Sequence, residues 1–323
     1  MGVPAGVFQT HQAIGNREDL TDKIYNISPL ETPFVSMCAR VKAKSTNHEW
    51  QTDALAAAAT NRNIEGDDSS ISTAVPTTRV NNYTQIFKKA IRVSGTQNVV
   101  DVAGRDREEA YQLMKRSKEI KRDIEFALTR NQASSAGGPN TARSLASVES
   151  WINTNRTSKG TGTAQTTYGF SGTTVLAPVD STAASSFTQT DLKAMLGAAW
   201  SAGGNPTVVI AGPTAKQKIS TFTGIATLYR ETGTTSKGTR IVGAADIYVH
   251  DFGEVRIVPD RFSRDQTVLI LDMDYWAIAE LRGMTKEKLA KTGDSEQWHL
   301  LTELTLESRN EASSAKISDV NGS

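Results

Sequence analysis

The chain has 323 residues, with 36 Lys and Arg against 35 Asp and Glu, so its formal net charge is +1. Its length suits about two folded domains, and its 38% hydrophobic and 22% charged residues are typical of a globular protein. The even charge balance excludes a protein that grips nucleic acid over its whole surface, and the single cysteine, Cys38, excludes a disulfide scaffold.

Residues 1–40 predict an arm followed by two short helices. Residues 1–16 mix Gly, Pro, Gln and His without a period, and Asn16 can cap a short helix that Pro29 ends. Pro33 favours the first position of a second helix. The apolar run around Cys38 predicts that its thiol is buried as a small hydrophobic group.

Residues 41–98 predict an extended hairpin. Segments 41–50 and 80–94 are strand-like, and they flank a long polar stretch that contains an alanine run at 56–59. A hairpin of this length buries too little apolar surface to be stable alone. It therefore needs a partner surface, either in its own chain or in another.

Residues 106–131 carry the clearest helical pattern. Apolar residues recur at positions i, i+3, i+4 and i+7 from Ala110 to Leu128, and charged residues of both signs occupy the other face from Lys115 to Glu125. Such a helix would span roughly 38 Å. The interleaved signs favour a solvated face, with a nucleic-acid stripe as the alternative.

The remainder of the chain predicts a second lobe and a return to the first. Residues 151–190, rich in Thr, Gly and Ser, predict irregular or weakly β structure. A helix follows from a cap at Thr190 to Gly203. Further predictions are a helix at 213–222, strands at 207–211, 246–250, 255–258, 268–271, 275–281 and 299–307, and a polar, frayed tail at 308–323.

Few patterns point to catalysis or to a cofactor. His48 and Glu49 begin the zinc motif H-E-x-x-H, but the position of the second histidine holds Thr52. The segment 212–216 stands where helices bind phosphate but lacks the Walker spacing, and the D-x-D at 272–274 is commoner in turns than in cation sites. We therefore predict no enzyme, cofactor or metal. The sequence also lacks a secretory signal and an apolar run of about 18 residues.

Local motifs give a resemblance to a known family. The segment 19–34, D-L-T-D-K-I-Y-N-I-S-P-L-E-T-P-F, and the H-E-W-Q-T-D at 48–53 resemble one family of tailed-bacteriophage major head proteins. The E-S-W-I at 149–152 also resembles that family. The resemblance implies an α+β chain with the Hong-Kong-97-like capsid fold.

That fold implies a domain map. The N-terminal arm and short helices would be residues 1–40, the extended loop 41–98, the peripheral domain with its long spine helix 99–140, the axial domain 141–273, and the peripheral strands with the C-terminal tail 274–323. Some relatives carry a scaffolding extension before the arm. Because the arm here begins almost at Met1, we expect a separate scaffolding protein.

The resemblance also implies a function and partners. The chain would assemble with itself into the hexamers and pentamers of an icosahedral head around double-stranded DNA. Other expected partners are the scaffolding protein, a portal protein, a decoration protein and, through weak non-specific contact, the packaged DNA. The protein would be made in the bacterial host cytoplasm and end in the virion, without a membrane. The candidate intersubunit contacts are His48, Glu49, Trp50, Asp53, Ile86 and Phe87, with Trp50 as the expected anchor.

Two other functions stay open at this stage. A tail-tube or decoration protein would be β-dominated and would lack the long helix. An unrecognised hydrolase would use the Thr/Gly-rich segment as a lid and would gather titratable groups such as His48, His250 and Asp272 in one pocket.

Overall fold

The computed structural model describes residues 31–66, 68, 73–100, 107–161, 168–222 and 246–321. Its helices are α1 Pro33–Met37, α2 Gly95–Val99, α3 Glu108–Thr129, α4 Val148–Trp151, α5 Gln189–Ser201 and α6 Pro213–Ser220. Its strands are β1 Ala39–Lys42, β2 Asn47–Thr52, β3 Thr78–Tyr83, β4 Gln85–Ser94, β5 Arg156–Ser158, β6 Gly169–Phe170, β7 Val175–Leu176, β8 Ser185–Ser186, β9 Val208–Ala211, β10 Ile247–His250, β11 Gly253–Pro259, β12 Val268–Leu271, β13 Trp276–Lys288, β14 Ser295–Ser308, β15 Ala315–Ser318 and β16 Val320–Asn321. The predicted arm and the helix before Pro29 lie outside the described residues.

Two larger sheets carry the architecture. The four-stranded sheet has the order β1-β13-β14-β4, parallel between β1 and β13 and antiparallel elsewhere. The six-stranded sheet has the order β10-β11-β9-β12-β15-β5, and its pairs β11–β9 and β15–β5 are parallel. The mixture of helices and sheets confirms the α+β prediction.

The six-stranded sheet is covered on both faces. In β9, Val208 and Ile210 join the core that contains α3 and the four-stranded sheet. Val209 and Ala211 point the other way, into a core with residues of α5 and α6. β12 alternates between the two cores in the same manner. A strand buried on both faces needs an uninterrupted apolar sequence, which explains why this segment reads as a continuous apolar run.

The long helix is present, but its two halves differ. α3 has 22 residues, or roughly 33 Å. Ile120, Ile124 and Leu128 are buried in the first core, whereas Ala110 and Met114 are exposed. The prediction of one apolar face along the whole helix was therefore wrong for its first turns, since the core meets α3 mainly from Ile120 onward.

Both predicted hairpin strands are in fact two strands each. β1 pairs within the four-stranded sheet while β2 pairs with β3, and β4 pairs with β14. The break between β3 and β4 is Thr84, whose N–H donates to the Thr46 carbonyl over 2.9 Å and whose hydroxyl donates to Glu303 over 2.7 Å. Strand propensity alone does not reveal such a change of partner.

The predicted frayed tail is wrong. β15 lies between β12 and β5 in the six-stranded sheet, with Ile317 fully buried. Residues 276–308 form the predicted return to the four-stranded sheet, but residues 315–318 do not. The polar sequence hid this strand because Lys316, in its middle, is itself buried.

Replacing Ile317 tests the role of β15. We expect Ile317→Ala to lower the free energy of unfolding by about 2–5 kcal/mol, because it leaves a cavity inside the sheet. The matched control is Val249→Ala, on the exposed edge strand of the same sheet, which should change stability by less than about 0.5 kcal/mol. Urea unfolding followed by circular dichroism measures both. Equal, small effects would mean that β15 is dispensable.

Candidate functional site

An extended segment leaves the body of the subunit between β2 and β3. Its described residues, 53–66, 68 and 73–77, contain neither helix nor strand. Three of its apolar side chains stand in solvent: Leu55 is 99% exposed, Ile64 80% and Val75 84%. Exposed apolar groups on a segment without its own core indicate a surface that is completed by another molecule.

The base of this segment is fixed to its own chain. The His48 Nε2 lies 2.8 Å from the Glu307 carboxylate, and the Trp50 indole N–H donates to the Ser308 carbonyl over 2.8 Å. The Trp50 ring centroid lies 5.5 Å from that of Trp151, which belongs to the first core. Of the two alternatives that the sequence leaves open, the base of the hairpin therefore has its partner surface in its own chain.

Buried polar groups reinforce the base. The Asn82 side chain donates to the Leu306 carbonyl over 2.8 Å and accepts the Ala146 N–H over 2.9 Å. Burial alone would raise the pKa of the Glu303 carboxyl, but the Thr84 hydroxyl and the guanidinium of Arg282 together lower it. The ionised carboxylate of Glu303 thus holds Thr84, at the end of the two-stranded ribbon formed by β2 and β3, against β14.

The other predicted contact residues fall into two groups. Phe87 is 7% exposed and packs in the first core, because its strand turns that side chain inward, so little of it is left for a neighbour to contact. Glu49 and Asp53 are exposed, and Ile86 is 45% exposed beside a hollow of about 420 Å³ that Arg143 also lines. These three stay predictions for contacts with a neighbour.

A buried carboxylate holds the helix at which the described chain begins. The Glu125 side chain of α3 accepts the backbone N–H of Phe34 over 2.7 Å and that of Val35 over 2.9 Å. These amides belong to the first turn of α1, whose N-cap Thr32 supplies no side-chain cap. Glu125 therefore caps α1 from another helix, and with the buried Phe34 it fixes α1 against the body.

The surroundings of Glu125 shift its proton affinity. Burial, together with the nearby Asp260 carboxylate, raises the pKa of Glu125 to about 7 against the two amides, which lower it. The same burial, with Glu125 close by, raises the pKa of the Cys38 thiol. Cys38 is thus a buried, un-ionised thiol, which confirms the prediction made from its apolar neighbours and leaves it without nucleophilic character.

A second buried ionic group ties α4 to the six-stranded sheet. The Glu149 carboxylate lies 2.9 Å from the Arg264 guanidinium and accepts the Thr267 hydroxyl over 3.1 Å. The Lys316 ammonium donates to the Glu149 carbonyl over 2.5 Å and lies 4.3 Å from the centre of the Tyr168 ring. Burial lowers the pKa of Lys316 to about 8. Both partners of the Glu149 carboxylate meet Oε1, whereas Oε2 is buried without a hydrogen-bond partner among the described residues, and burial raises the pKa of Glu149. These contacts join α4 to the sheet and make the group a structural joint.

The outer edge of the six-stranded sheet exposes an apolar area. Ile247 and Val249 of the edge strand β10 are exposed, and the ring of Phe252, in the turn after β10, stacks on that of Trp200 of α5 with centroids 4.6 Å apart. Among the described residues no strand pairs with the outer edge of β10, and unpaired edge strands with apolar side chains are surfaces at which other chains add.

Residues considered for catalysis serve local structure. The His250 Nδ1 accepts the Phe252 N–H over 3.3 Å in the turn between β10 and β11. Asp272 caps a short 3-10 turn and accepts the Asn205 N–H over 2.9 Å. The amino end of α6 is satisfied by Asp265, which accepts the Thr214 N–H over 2.9 Å, so that end holds a side chain of the protein.

Within the described ranges, no group of three or more His, Cys, Asp or Glu side chains is placed to hold a metal ion. Nor is any helix of those ranges both long enough and apolar enough to cross a membrane.

Comparison with known sequences gives a match over nearly the whole chain. The profile of the SU10 major capsid protein family matches residues 5–321. The chain belongs to the SU10 major capsid protein family. The major capsid protein of Escherichia phage Phieco32 is 41% identical over 128 residues, which cover 39% of this chain and 36% of that relative. That match thus spans little more than a third of the curated relative.

Solved capsid structures share the fold. The capsid of cyanophage A-1(L) matches with a TM-score of 0.65 at 14% identity, over 97% of this chain and 98% of that one. The capsid of a native GTA particle matches with a TM-score of 0.61 at 10% identity, over 97% and 98%. Identities this low show the fold alone, and they confirm the Hong-Kong-97-like prediction. Family membership confirms a structural capsid protein over the tail, decoration and hydrolase alternatives.

Sequence reasoning missed the most informative residues. Glu125 was assigned to the charged face of the helix, because its position between Ile124 and Phe126 gives no sign that it caps another helix. Leu55, Ile64 and Val75 were hidden in a stretch read as polar. The available signal was that these three large apolar residues stand apart from one another in a segment of otherwise small or polar residues.

The docking of Trp50 yields a revised prediction. From sequence, loss of this ring was expected to impair assembly more than folding. Because Trp50 packs on its own core, we now expect Trp50→Ala to lower the unfolding free energy of the subunit by roughly 2 kcal/mol, less than a fully buried Trp would lose. Urea unfolding measures this, with the exposed neighbour Glu49→Ala as control. Unchanged stability with lost assembly would restore the intersubunit interpretation.

The Glu125 cap predicts a pH dependence. Its pKa in the folded chain, about 7, lies above the ordinary 4.5, so its contribution to stability is complete below about pH 4.5 and is lost as pH rises through 7. Relative to wild type, Glu125→Gln should therefore flatten the fall in stability between about pH 5 and 8. Urea unfolding at a series of pH values measures the slope, with Glu119→Gln on the same helix as control. Parallel curves for wild type and Glu125→Gln would contradict the assignment.

Proposed function

We propose that the chain builds the icosahedral head of a tailed bacteriophage, by assembling with itself into hexamers and pentamers around double-stranded DNA. The observation that carries this proposal is the extended segment between β2 and β3. Its base is anchored rigidly to the subunit, and its apolar side chains Leu55, Ile64 and Val75 point into solvent. A neighbouring copy supplies the surface that they lack.

The energetics favour this interpretation. Burying one Leu, Ile or Val side chain contributes about 1.5–3 kcal/mol, so the three together supply several kcal/mol per contact. Fixing an extended segment costs conformational entropy, which lowers the net gain. Each subunit of a closed shell makes the contact once and receives it once, so modest contacts accumulate into a stable lattice.

The two sheets support a division into domains. We assign the four-stranded sheet with α3 to the peripheral domain, α3 being the spine helix, and residues 41–98 to the extended loop. The six-stranded sheet with α5 and α6 supports an axial domain in residues 141–273. The buried β15 extends that domain to residues 315–318, beyond the map drawn from sequence. The exposed edge of β10 is available there for contacts between subunits.

The proposal includes partners and a location. As a shell protein the chain is part of the virion, and we propose that it is made in the bacterial host cytoplasm. A separate scaffolding protein, a portal protein, a decoration protein and weakly held DNA would be its other partners. Glu49, Asp53 and Ile86 are proposed as contacts at the subunit boundary because they are exposed around the ribbon.

Polar replacement of the three exposed side chains tests the proposal. We expect Leu55→Ser, Ile64→Ser and Val75→Ser together to abolish shells and capsomers, because the neighbour loses its apolar contact. Negative-stain imaging and light scattering measure assembly. The thermal midpoint of the subunit should stay unchanged, since these side chains touch nothing in their own core.

The matched control is Ala57→Ser, Ala58→Ser and Ala59→Ser in the same segment. It introduces three hydroxyls but keeps the large apolar groups, so it should assemble. Normal shells from the first variant would overturn the proposed role of the segment, while failure of both variants would point to the backbone rather than to the three side chains.

A further inference from the structure

The solvent side of α3 carries lysines without counter-charges. Lys115, Lys118 and Lys121 are exposed and follow at intervals of three residues. In the described part of the chain, no carboxylate lies within ion-pair distance of any of the three. Helical geometry places them over ~9 Å of the axis.

Four of the five acidic residues of α3 are buried or paired. The sequence of the helix has five Asp or Glu for its five Lys or Arg, which suggests a neutral surface. However, Glu125 is buried against α1, and Glu108 is also buried. Glu119 pairs with Arg116 over 2.6 Å, and Asp123 pairs with a lysine of β4 over 2.7 Å. The fifth, Glu109, is half-buried in the first turn of the helix, six residues before Lys115. The even balance of the sequence is therefore lost on the surface around Lys115, Lys118 and Lys121.

The other side of the four-stranded sheet differs. In β14, Leu300 and Leu304 face the core under α3, so the intervening Glu303 faces away. Arg143 and Arg282 both pair with that carboxylate over 2.7 Å. The two guanidiniums beside Glu303 are thus neutralised within the subunit, while Lys88 and Arg92 on the same side of β4 stay exposed and provide a comparison for the lysines of α3.

We propose that Lys115, Lys118 and Lys121 form a phosphate-contact surface for double-stranded nucleic acid. The inference rests on the proposed shell function and names the part of the subunit that meets the packaged duplex. Over ~9 Å a duplex carries about five phosphate charges, so three flexible ammonium groups match it without a fixed register. Contact is weak, independent of base sequence and sensitive to salt, which agrees with a chain whose net charge is only +1.

The test compares two sets of substitutions in the full chain. Lys115→Gln, Lys118→Gln and Lys121→Gln remove the proposed surface. The control set removes three exposed cations that lie elsewhere: Lys44→Gln, Lys88→Gln and Arg92→Gln. The probe is a short fluorescent DNA duplex of random sequence, with binding followed by anisotropy from low to physiological salt.

We expect the α3 set to weaken binding at low salt by about tenfold or more and to reduce the slope of log affinity against log salt by about 2–3. The control set should change affinity much less. Equal losses in both sets would overturn the proposal, because the contact would then be spread over the whole surface.

Two further readouts separate this inference from the shell function. Negative-stain imaging should show that the α3 set still forms shells; loss of assembly would mean that the lysines belong to a subunit boundary and would overturn the proposal. Binding of fluorescent polyglutamate serves as the second probe. If the α3 set lost polyglutamate but kept the DNA duplex, an acidic protein would be the partner, and the proposal would fail.

Discussion

The rest of the structure depends on how the ribbon of β2 and β3 docks on the end of β14. The Ser308 carbonyl, the Glu307 carboxylate and the Leu306 carbonyl receive Trp50, His48 and Asn82, respectively. β14 is itself held on both sides by β13 and β4 along most of its length. A segment that leaves from such a base can extend without a core of its own, because its direction is set where it begins.

Buried charged groups join the parts that lie far apart in sequence. Glu125 connects α3 to the first described helix, Glu149 connects α4 to the six-stranded sheet, and Glu303 connects the ribbon to β14. A buried carboxylate is costly unless each oxygen finds donors, and breaking one partner leaves an uncompensated charge. These joints therefore give little net stability but favour one arrangement of the elements over others.

The sequence predicted the elements whose apolar residues follow a clear helical period or form a continuous apolar run. α3, the helix at 213–220 and the buried strands β9 and β12 follow from their apolar patterns. β15 was missed because Lys316 reads as a surface residue, although its ammonium finds a carbonyl and an aromatic ring inside the fold. Phe87 was assigned to a contact with a neighbouring subunit because side chains alternate between two faces both in an isolated hairpin and in a strand of a larger sheet. Partner choice is a tertiary property, and the local pattern does not contain it.

The position of β15 also bears on how the protein is made. Among the described strands, β5 pairs with β15 alone, and the partner residues Arg156 and Lys316 lie about 160 positions apart in the chain. During synthesis, β5 and the facing edge of β12 lack this partner strand until residues 315–318 have been translated. Contacts with such long separation close slowly. A nascent chain interrupted before this point lacks the strand that completes the six-stranded sheet, so unfinished subunits are poor substrates for lattice growth and good ones for proteolysis.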